Sequence, residues 1–284
     1  RLAISHPITE NAKLFFNYGH YRQAATSEAL YRIRRLYNNK VEYIGDPNIP
    51  LAKTVSYEIG YDHVILGSYL LRISAYYKDI TNQQDWTRYI SADGKVNYYR
   101  LTAKNYEDIR GFEIEFTKMA GRWVTWNLNY EYRVNTSGYF GFKQYYENPA
   151  EQREYERRSP VEWKPRPRPR FKGYIDIHTP EDFGPKVANH NLLGDWHFTF
   201  VGSWTAGWWM TWNPNNVPGI AYNVQTRDFY NVDMKIFKTF SFGGVDVRLF
   251  VDIYNLFNFK HFSWASFSDA YDFDYYMKSL HLPK

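Results

Sequence analysis

Residues 53–79 alternate between apolar and polar side chains in two runs. In the first, Val55, Tyr57, Ile59 and Tyr61 are interleaved with Thr54, Ser56, Glu58, Gly60 and Asp62. In the second, Leu71, Ile73, Ala75 and Tyr77 are interleaved with Arg72, Ser74, Tyr76 and Lys78. A period of two places each set on one face of a pleated strand. The short link around Gly67-Ser68 joins the runs as an antiparallel hairpin. One face is too highly charged for a sandwich core. The other carries tyrosines at its ends and aliphatics between, the pattern of a strand with lipid outside and water inside. About 10 residues at roughly 3.3 Å each, tilted near 45°, cover the apolar band of an outer membrane.

The alternation recurs along the chain. Strands are predicted over 12–21, 106–118, 124–133, 171–179, 196–208, 229–238 and 245–255, and 2–7 reads as the end of another. In 124–133, Val124, Trp126, Leu128, Tyr130 and Tyr132 oppose Thr125, Asn127, Asn129, Glu131 and Arg133. The tail from Leu256 shows no convincing strand. Short links (6–11, 63–68, 118–122 and 240–244) alternate with long ones (22–52, 80–104, 134–169 and 209–228), and 180–193 is of medium length. Outer-membrane barrels sort their connections in this way, with short turns on the periplasmic side and long loops outside. The fold predicted is all-β: an antiparallel up-and-down transmembrane β-barrel. About ten strands form an open half-barrel, a single-domain fragment over 1–284. Its free edges lie near Leu2 and Tyr254. Val55, Tyr57, Ile59, Leu71, Ile73, Trp126, Leu128, Leu249 and Val251 are expected to share the lipid-facing surface.

Composition supports this reading. Aromatic residues make up 20% of the chain, with 27 Tyr and 10 Trp, an excess that membrane interfaces use and soluble cores do not. A mean hydropathy of −0.61 suggests a soluble protein, but alternation dilutes the apolar signal of barrel strands. No apolar run is long enough for a transmembrane helix. Without cysteine there is neither a disulfide framework nor a thiolate metal site. The net charge of +5 is mild, and no nucleic-acid partner is expected. Arg1 begins within a strand pattern, so the natural N-terminus is expected upstream.

Several stretches resemble the TonB-dependent outer-membrane receptors. Gly45-Asp46-Pro47-Asn48-Ile49-Pro50-Leu51-Ala52-Lys53-Thr54, running into Tyr57-Glu58-Ile59-Gly60-Tyr61, is similar to a strand start of that family, with Asp46 in place of its usual Asn and Ala52 in place of its Glu. Asn17-Tyr18-Gly19-His20-Tyr21-Arg22-Gln23 resembles a family strand end. Tyr76-Tyr77-Lys78-Asp79-Ile80 and Arg110-Gly111-Phe112-Glu113-Ile114-Glu115 fit the strands that follow. Asp252-Ile253-Tyr254-Asn255-Leu256-Phe257-Asn258 resembles the strand end near the family's C-terminus. The resemblance implies a barrel of about 22 strands around an N-terminal plug, in the outer membrane of a Gram-negative bacterium. It also implies active uptake of a siderophore, cobalamin or carbohydrate. Its partners would be the TonB–ExbB–ExbD complex (through the plug), outer-membrane lipid with lipopolysaccharide, and a small-molecule ligand. The plug, the first half of the barrel and the closing strand are expected to lie outside this chain.

Two stretches are candidates for ligand contact. Residues 151–172 hold eight Lys/Arg against four Asp/Glu, with a Pro-Arg repeat over 165–170 that is extended and not helical. Trp163, Arg166, Arg168 and Arg170 there either hold an anionic ligand or lipid phosphate at the outer mouth or belong to a solvated loop, the preferred reading. Trp209 and Trp212, with Trp208, form either a stacking platform or part of an interfacial aromatic girdle, and the girdle is preferred. Glu58, Arg72, Glu113, Glu115, Asn127, Glu131 and Arg133 are expected to face the lumen, paired with one another or with the plug. Asp269, Asp272 and Asp274 lack the spacing of a calcium loop, and the eight His form no HExxH. No catalytic, metal or cofactor site is expected. A plug-less porin or adhesin barrel and a soluble carbohydrate-binding β protein are the alternatives.

Overall fold

The computed structural model describes residues 1–158, 166–187, 190–210, 222–242 and 244–260, together with 213, 215, 217, 219 and 220. Ten strands follow one another as an antiparallel meander. They are β1 (Leu2–Thr9), β2 (Ala12–Gln23), β3 (Ala52–Ile65), β4 (Tyr69–Ile90), β5 (Asn97–Lys118), β6 (Val124–Tyr139), β7 (Arg170–His178), β8 (Trp196–Thr205), β9 (Phe229–Phe242) and β10 (Val245–Ile253). Among the described residues β1 pairs only with β2 and β10 only with β9, so the sheet is open and has two free edges. This is the half-barrel that the alternation predicts.

Register explains the two faces, because directly opposed residues share a side of the sheet. Leu14, Tyr61, Ile73, Ile114, Tyr130, Phe171, Trp204 and Tyr230 form one continuous row from β2 to β9. One residue away, on the opposite face, runs Lys13, Asp62, Arg72, Glu115, Asn129, Lys172, Ser203 and Asn231. The nine residues expected on the apolar surface all lie on the first face. None is buried, and Ile59 and Leu249 remain 56% and 63% exposed. No large side chain among the described residues is fully buried. The sheet therefore has no packed interior of its own.

Aromatic rows mark both ends of the apolar face. At one end Tyr18 and Tyr57 lie 5.1 Å apart and Tyr57 and Tyr77 lie 6.3 Å apart. At the other, Tyr69 stacks on Phe116 at 6.1 Å and meets Trp126 at 5.8 Å, and Lys118 lies over Tyr69 and Trp126. Lys238 sits on the apolar face at that same end. It lies over Trp196 and Phe240, and its ammonium donates to the Asn191 and Gly194 carbonyls. Both lysines lay their stems along aromatic surface and carry their charge toward the rim.

The connections at the Lys118 end are short except for 179–195, and those at the other end are elaborate. Here the structure extends the sequence reading. The expected link over 80–104 is a continued hairpin of β4 and β5, with only 91–96 left as the turn and Gly94 at φ 67°. Past Ile80 the ladder shifts register twice, between Ile80 and Gln83 and between Gln83 and Asp85. Backbone pairing continues there while the side-chain alternation lapses.

The link 24–51 contains a helix at Ser27–Tyr31, capped by the Thr26 hydroxyl, and strands at Ile33–Arg35 and Val41–Ile44. The second of these pairs parallel to β5 through Tyr43 and Tyr99. The link 140–169 contains a strand at Gln144–Tyr146, parallel to β4, and a helix at Pro149–Arg158. Asn148 caps that helix by accepting from the Ala150 N–H. Part of the charged 151–172 stretch, expected to be a loop, is therefore helical.

Candidate functional site

The seven polar residues singled out in the sequence all lie on the polar face, where they pair mostly with neighbouring strands. Arg72 makes a two-pronged bond to Asp62, at 2.8 Å from Nε and 3.0 Å from Nη2, and Lys13 stands 3.4 Å from the same carboxylate. Arg72 also reaches Glu115 at 3.6 Å. Glu115 accepts from Asn127 at 2.7 Å, Glu113 from Asn129 at 2.7 Å, and Glu58 from Asn17 at 3.1 Å. Glu131 accepts from the Tyr76 hydroxyl at 2.5 Å and pairs with Arg170. Arg133 stands opposite Gly111. Most charges in this net meet a partner on an adjacent strand, which makes the polar face a cross-linked surface. Its firmest joint is the forked bond between Arg72 and Asp62, because two parallel charge-assisted bonds fix geometry as well as adding energy.

Beyond the wall, the loop strands and the upper β4–β5 hairpin merge into one aromatic and basic surface. Tyr43 stacks on Tyr99 at 4.9 Å and meets Trp86 edge-on at 5.0 Å, with Arg32 over the Tyr43 ring. Tyr89 is stacked between Tyr98 at 5.4 Å and Tyr145 at 5.5 Å. These rings, with Ile90, Ser91 and Val96, line an open cleft of ≈ 280 Å³. Burial pushes the Asp85 carboxyl up, but the Lys143 ammonium, the Trp86 N–H and Asn105 outweigh it and hold Asp85 below the usual carboxylate range. Burial likewise raises the Tyr145 phenol, and the Phe142 N–H and Lys104 reverse the shift to below its ordinary value. Tyr145 lines the cleft while Lys104 of β5 donates to its hydroxyl, so the cleft is assembled by tertiary contacts.

The basic candidates sit at the border of wall and loops. Arg170 is tied to Glu131, and Arg168 donates from Nε to the Ala206 carbonyl at 3.2 Å. Arg166 pairs through its backbone with Asn135. Trp209 pairs with Gln225 in a small two-stranded sheet beyond β8. Trp163, Trp212 and the aspartates 269, 272 and 274 lie outside the described residues.

One constellation is not evident from the sequence. Asp176 and His178, two apart on β7, share the polar face with His197 and Thr199 on β8, and His178 stands directly opposite His197. Both imidazole Nδ1 atoms point at the same Asp176 oxygen, at 3.0 and 2.8 Å, and Thr199 donates to the other oxygen at 2.6 Å. The i, i+2 spacing of Asp176 and His178 is the only sequence signal, and the third member arrives through strand register.

Comparison with known proteins places the architecture. The siderophore receptor PirA from Pseudomonas aeruginosa aligns with a TM-score of 0.56 at 12% identity, over 91% of this chain and 38% of its own. The outer membrane transporter YddB from Escherichia coli aligns with a TM-score of 0.56 at 10% identity, over 88% of this chain and 35% of its own. The copper transporter OprC aligns at 0.50 and 11%, over 90% and 33%. At such identities these likenesses establish the fold alone, and the chain spans only 33–38% of each of these structures. No curated protein matches the sequence. The family model described as TonB dependent receptor-like, beta-barrel matches residues 1–256, and with the open, two-faced meander this shows that the chain belongs to the TonB-dependent receptor β-barrel family.

Proposed function

We propose that this chain forms a large part of the wall of an outer-membrane receptor that takes up a scarce ligand at the expense of TonB-delivered energy. The observation that carries the reading is the two-faced meander with free edges. Its apolar face, bounded by aromatic rows, suits lipid, and its paired polar face, which includes Glu58, Arg72, Glu113, Glu115, Asn127, Glu131 and Arg133, suits a water-filled lumen or the surface of a plug. A lipid-exposed edge leaves backbone groups unpaired in hydrocarbon, so further strands must continue from β1 and β10. Tyr69 and Tyr77 are eight residues apart, about 20 Å of height at roughly 3.3 Å per residue and a tilt near 40°. That is close to the apolar thickness expected of an outer membrane, with the lysine-bearing rim on the periplasmic side.

The ligand is a siderophore-bound iron, cobalamin or a carbohydrate, met first by the tyrosine-lined loops. Arg168 and Arg170, with Trp209, border the outer mouth on this reading. The energy partner is the TonB–ExbB–ExbD complex, acting through a plug, and lipopolysaccharide surrounds the outer leaflet.

The test is uptake by cells carrying the whole receptor as their single copy. Labelled ferric siderophores, cobalamin and oligosaccharides are offered with and without an intact proton-motive force. Accumulation of one class that stops on de-energisation supports the proposal. Energy-independent flux of several solutes would favour the porin reading instead.

A further inference from the structure

We propose that Asp176, His178 and His197 form a binding site for a divalent transition cation of the zinc class at the short-turn rim of the polar face. This site lies apart from the tyrosine-lined cleft and does not depend on which ligand the receptor carries.

The first argument is donor geometry. The ligand atoms of the three residues all lie within 4.8 Å of one another. Each imidazole Nδ1 stands at ordinary hydrogen-bond distance from the carboxylate, at 3.0 and 2.8 Å. A tetrahedral ion with bonds of about 2.0–2.1 Å separates its ligand atoms by roughly 3.4 Å. From 3.0 and 2.8 Å, small side-chain rotations suffice to open the nitrogen–oxygen distances to that value. The three side chains are only 13–22% exposed, so the site is sheltered yet reachable from the polar face. Two imidazoles and a carboxylate are the donor set of zinc-class ions, and they leave a fourth position open.

The second argument is the shell around these ligands. A ligating histidine characteristically donates its far N–H to a carbonyl or carboxylate. Here His178 Nε2 stands 2.9 Å from the Gly121 carbonyl, and His197 Nε2 stands 3.3 Å from Asp195 Oδ1. The Asp176 oxygen not aimed at the imidazoles is held by Thr199. Phe237 stacks on the His197 ring at 4.3 Å and 4°, fixing its plane.

The ring nitrogens themselves favour such an ion. All four face oxygen atoms, whereas a neutral imidazole carries a single N–H. In the tautomer in which each Nε2–H donates outward, both Nδ1 lone pairs face one Asp176 oxygen. A metal ion seated between them would accept all three lone pairs together.

Such an ion would clip β7 to β8 and, through the Gly121 carbonyl, both to the turn between β5 and β6. The test uses the complete receptor in detergent, stripped with chelator and titrated with Co²⁺, then with Zn²⁺. The expected result is visible absorption of tetrahedral Co²⁺ at one equivalent assigned to this site, displaced by Zn²⁺. It should be lost in the Asp176→Asn/His197→Gln double variant and unchanged in His20→Gln, at the opposite end of the wall. Asp195→Asn, which alters the oxygen that His197 Nε2 faces, should weaken binding by about 10–100-fold. Should the double variant not fold, His178→Gln alone provides the comparison, with wild-type tryptophan emission as the criterion of folding. Titrations identical in wild type and variants, or no Co²⁺ uptake in excess metal, would overturn the proposal and leave a proton-filled hydrogen-bond cluster.

Discussion

Substituting Arg at Leu128 and at Asn127 tests the two-faced wall at adjacent positions. Leu128 lies on the apolar face between Phe116 of β5 and Gly173 of β7. It is four residues above Val124, where β6 begins. Four steps of roughly 3.3 Å at a tilt near 40° raise it about 10 Å, close to the middle of an apolar band about 25 Å tall. An Arg there should cost about 2–4 kcal/mol. Asn127 lies on the polar face and donates to Glu115 and Thr117, each at 2.7 Å. Its replacement by Arg loses those bonds but offers Glu115 a second cation, so the net cost should stay near 1 kcal/mol or below. The assay is denaturant titration of the complete protein folded into lipid vesicles, read by tryptophan emission. Equal costs at the two positions would refute the assignment of faces.

Three further outcomes are expected. At Gly45, an added Cβ would fall 2.3 Å from the Leu30 carbonyl oxygen and 2.4 Å from that of Ala29, so Gly45→Ala should dislodge the Ser27–Tyr31 helix. Limited proteolysis should then cut within 24–51 much faster than in wild type. Asp85 has a folded value below its ordinary 3.8, so its contribution is complete above that value and is lost as pH falls through the lower one. Acid titration below about pH 4 should therefore loosen the loops around Lys143 in wild type, and Asp85→Asn should flatten that response when protease sensitivity is compared across the range. Asp62→Asn removes the charge that holds Arg72 and Lys13. It should lower stability by about 1–3 kcal/mol, measurable by the same lipid titration, while Lys13→Gln, losing only the longer contact, should cost less.

The wall was legible because lipid and water impose opposite demands on alternate residues. The runs 53–65 and 69–79 show this most plainly, and their register follows from the pattern. The loop end was not legible, because neither demand operates there. Thr81, Asn82, Gln83 and Gln84 are all polar, so nothing in the pattern marked the continuation of β4, which backbone pairing and cross-strand contacts such as Gln83 to Glu107 sustain. The Pro149–Arg158 helix did carry a signal, an Asn at its cap followed by Pro and Glu, but its charge made it read as loop. The Asp176–His178–His197 cluster needed the knowledge that His178 and His197 are paired across β7 and β8, and this depends on the geometry of the turn between them. The polar-face net was partly legible: the charged positions were evident, but the partnership of Arg72 with Asp62 required the cross-strand register.

The two register shifts in the β4–β5 ladder bear on where this protein can change length. From Tyr69 to Ile80 the pairing with β5 is unbroken, a climb of about 30 Å at roughly 3.3 Å per residue and a tilt near 40°. A single inserted residue inside that stretch would exchange the apolar and charged sides of everything beyond it. Immediately above it the native hairpin already carries two such slips. Ile80 thus acts as a depth gauge written into the backbone. Epitope tags, affinity loops and odd-numbered insertions belong above it, and below it the chain accepts changes of length only in pairs.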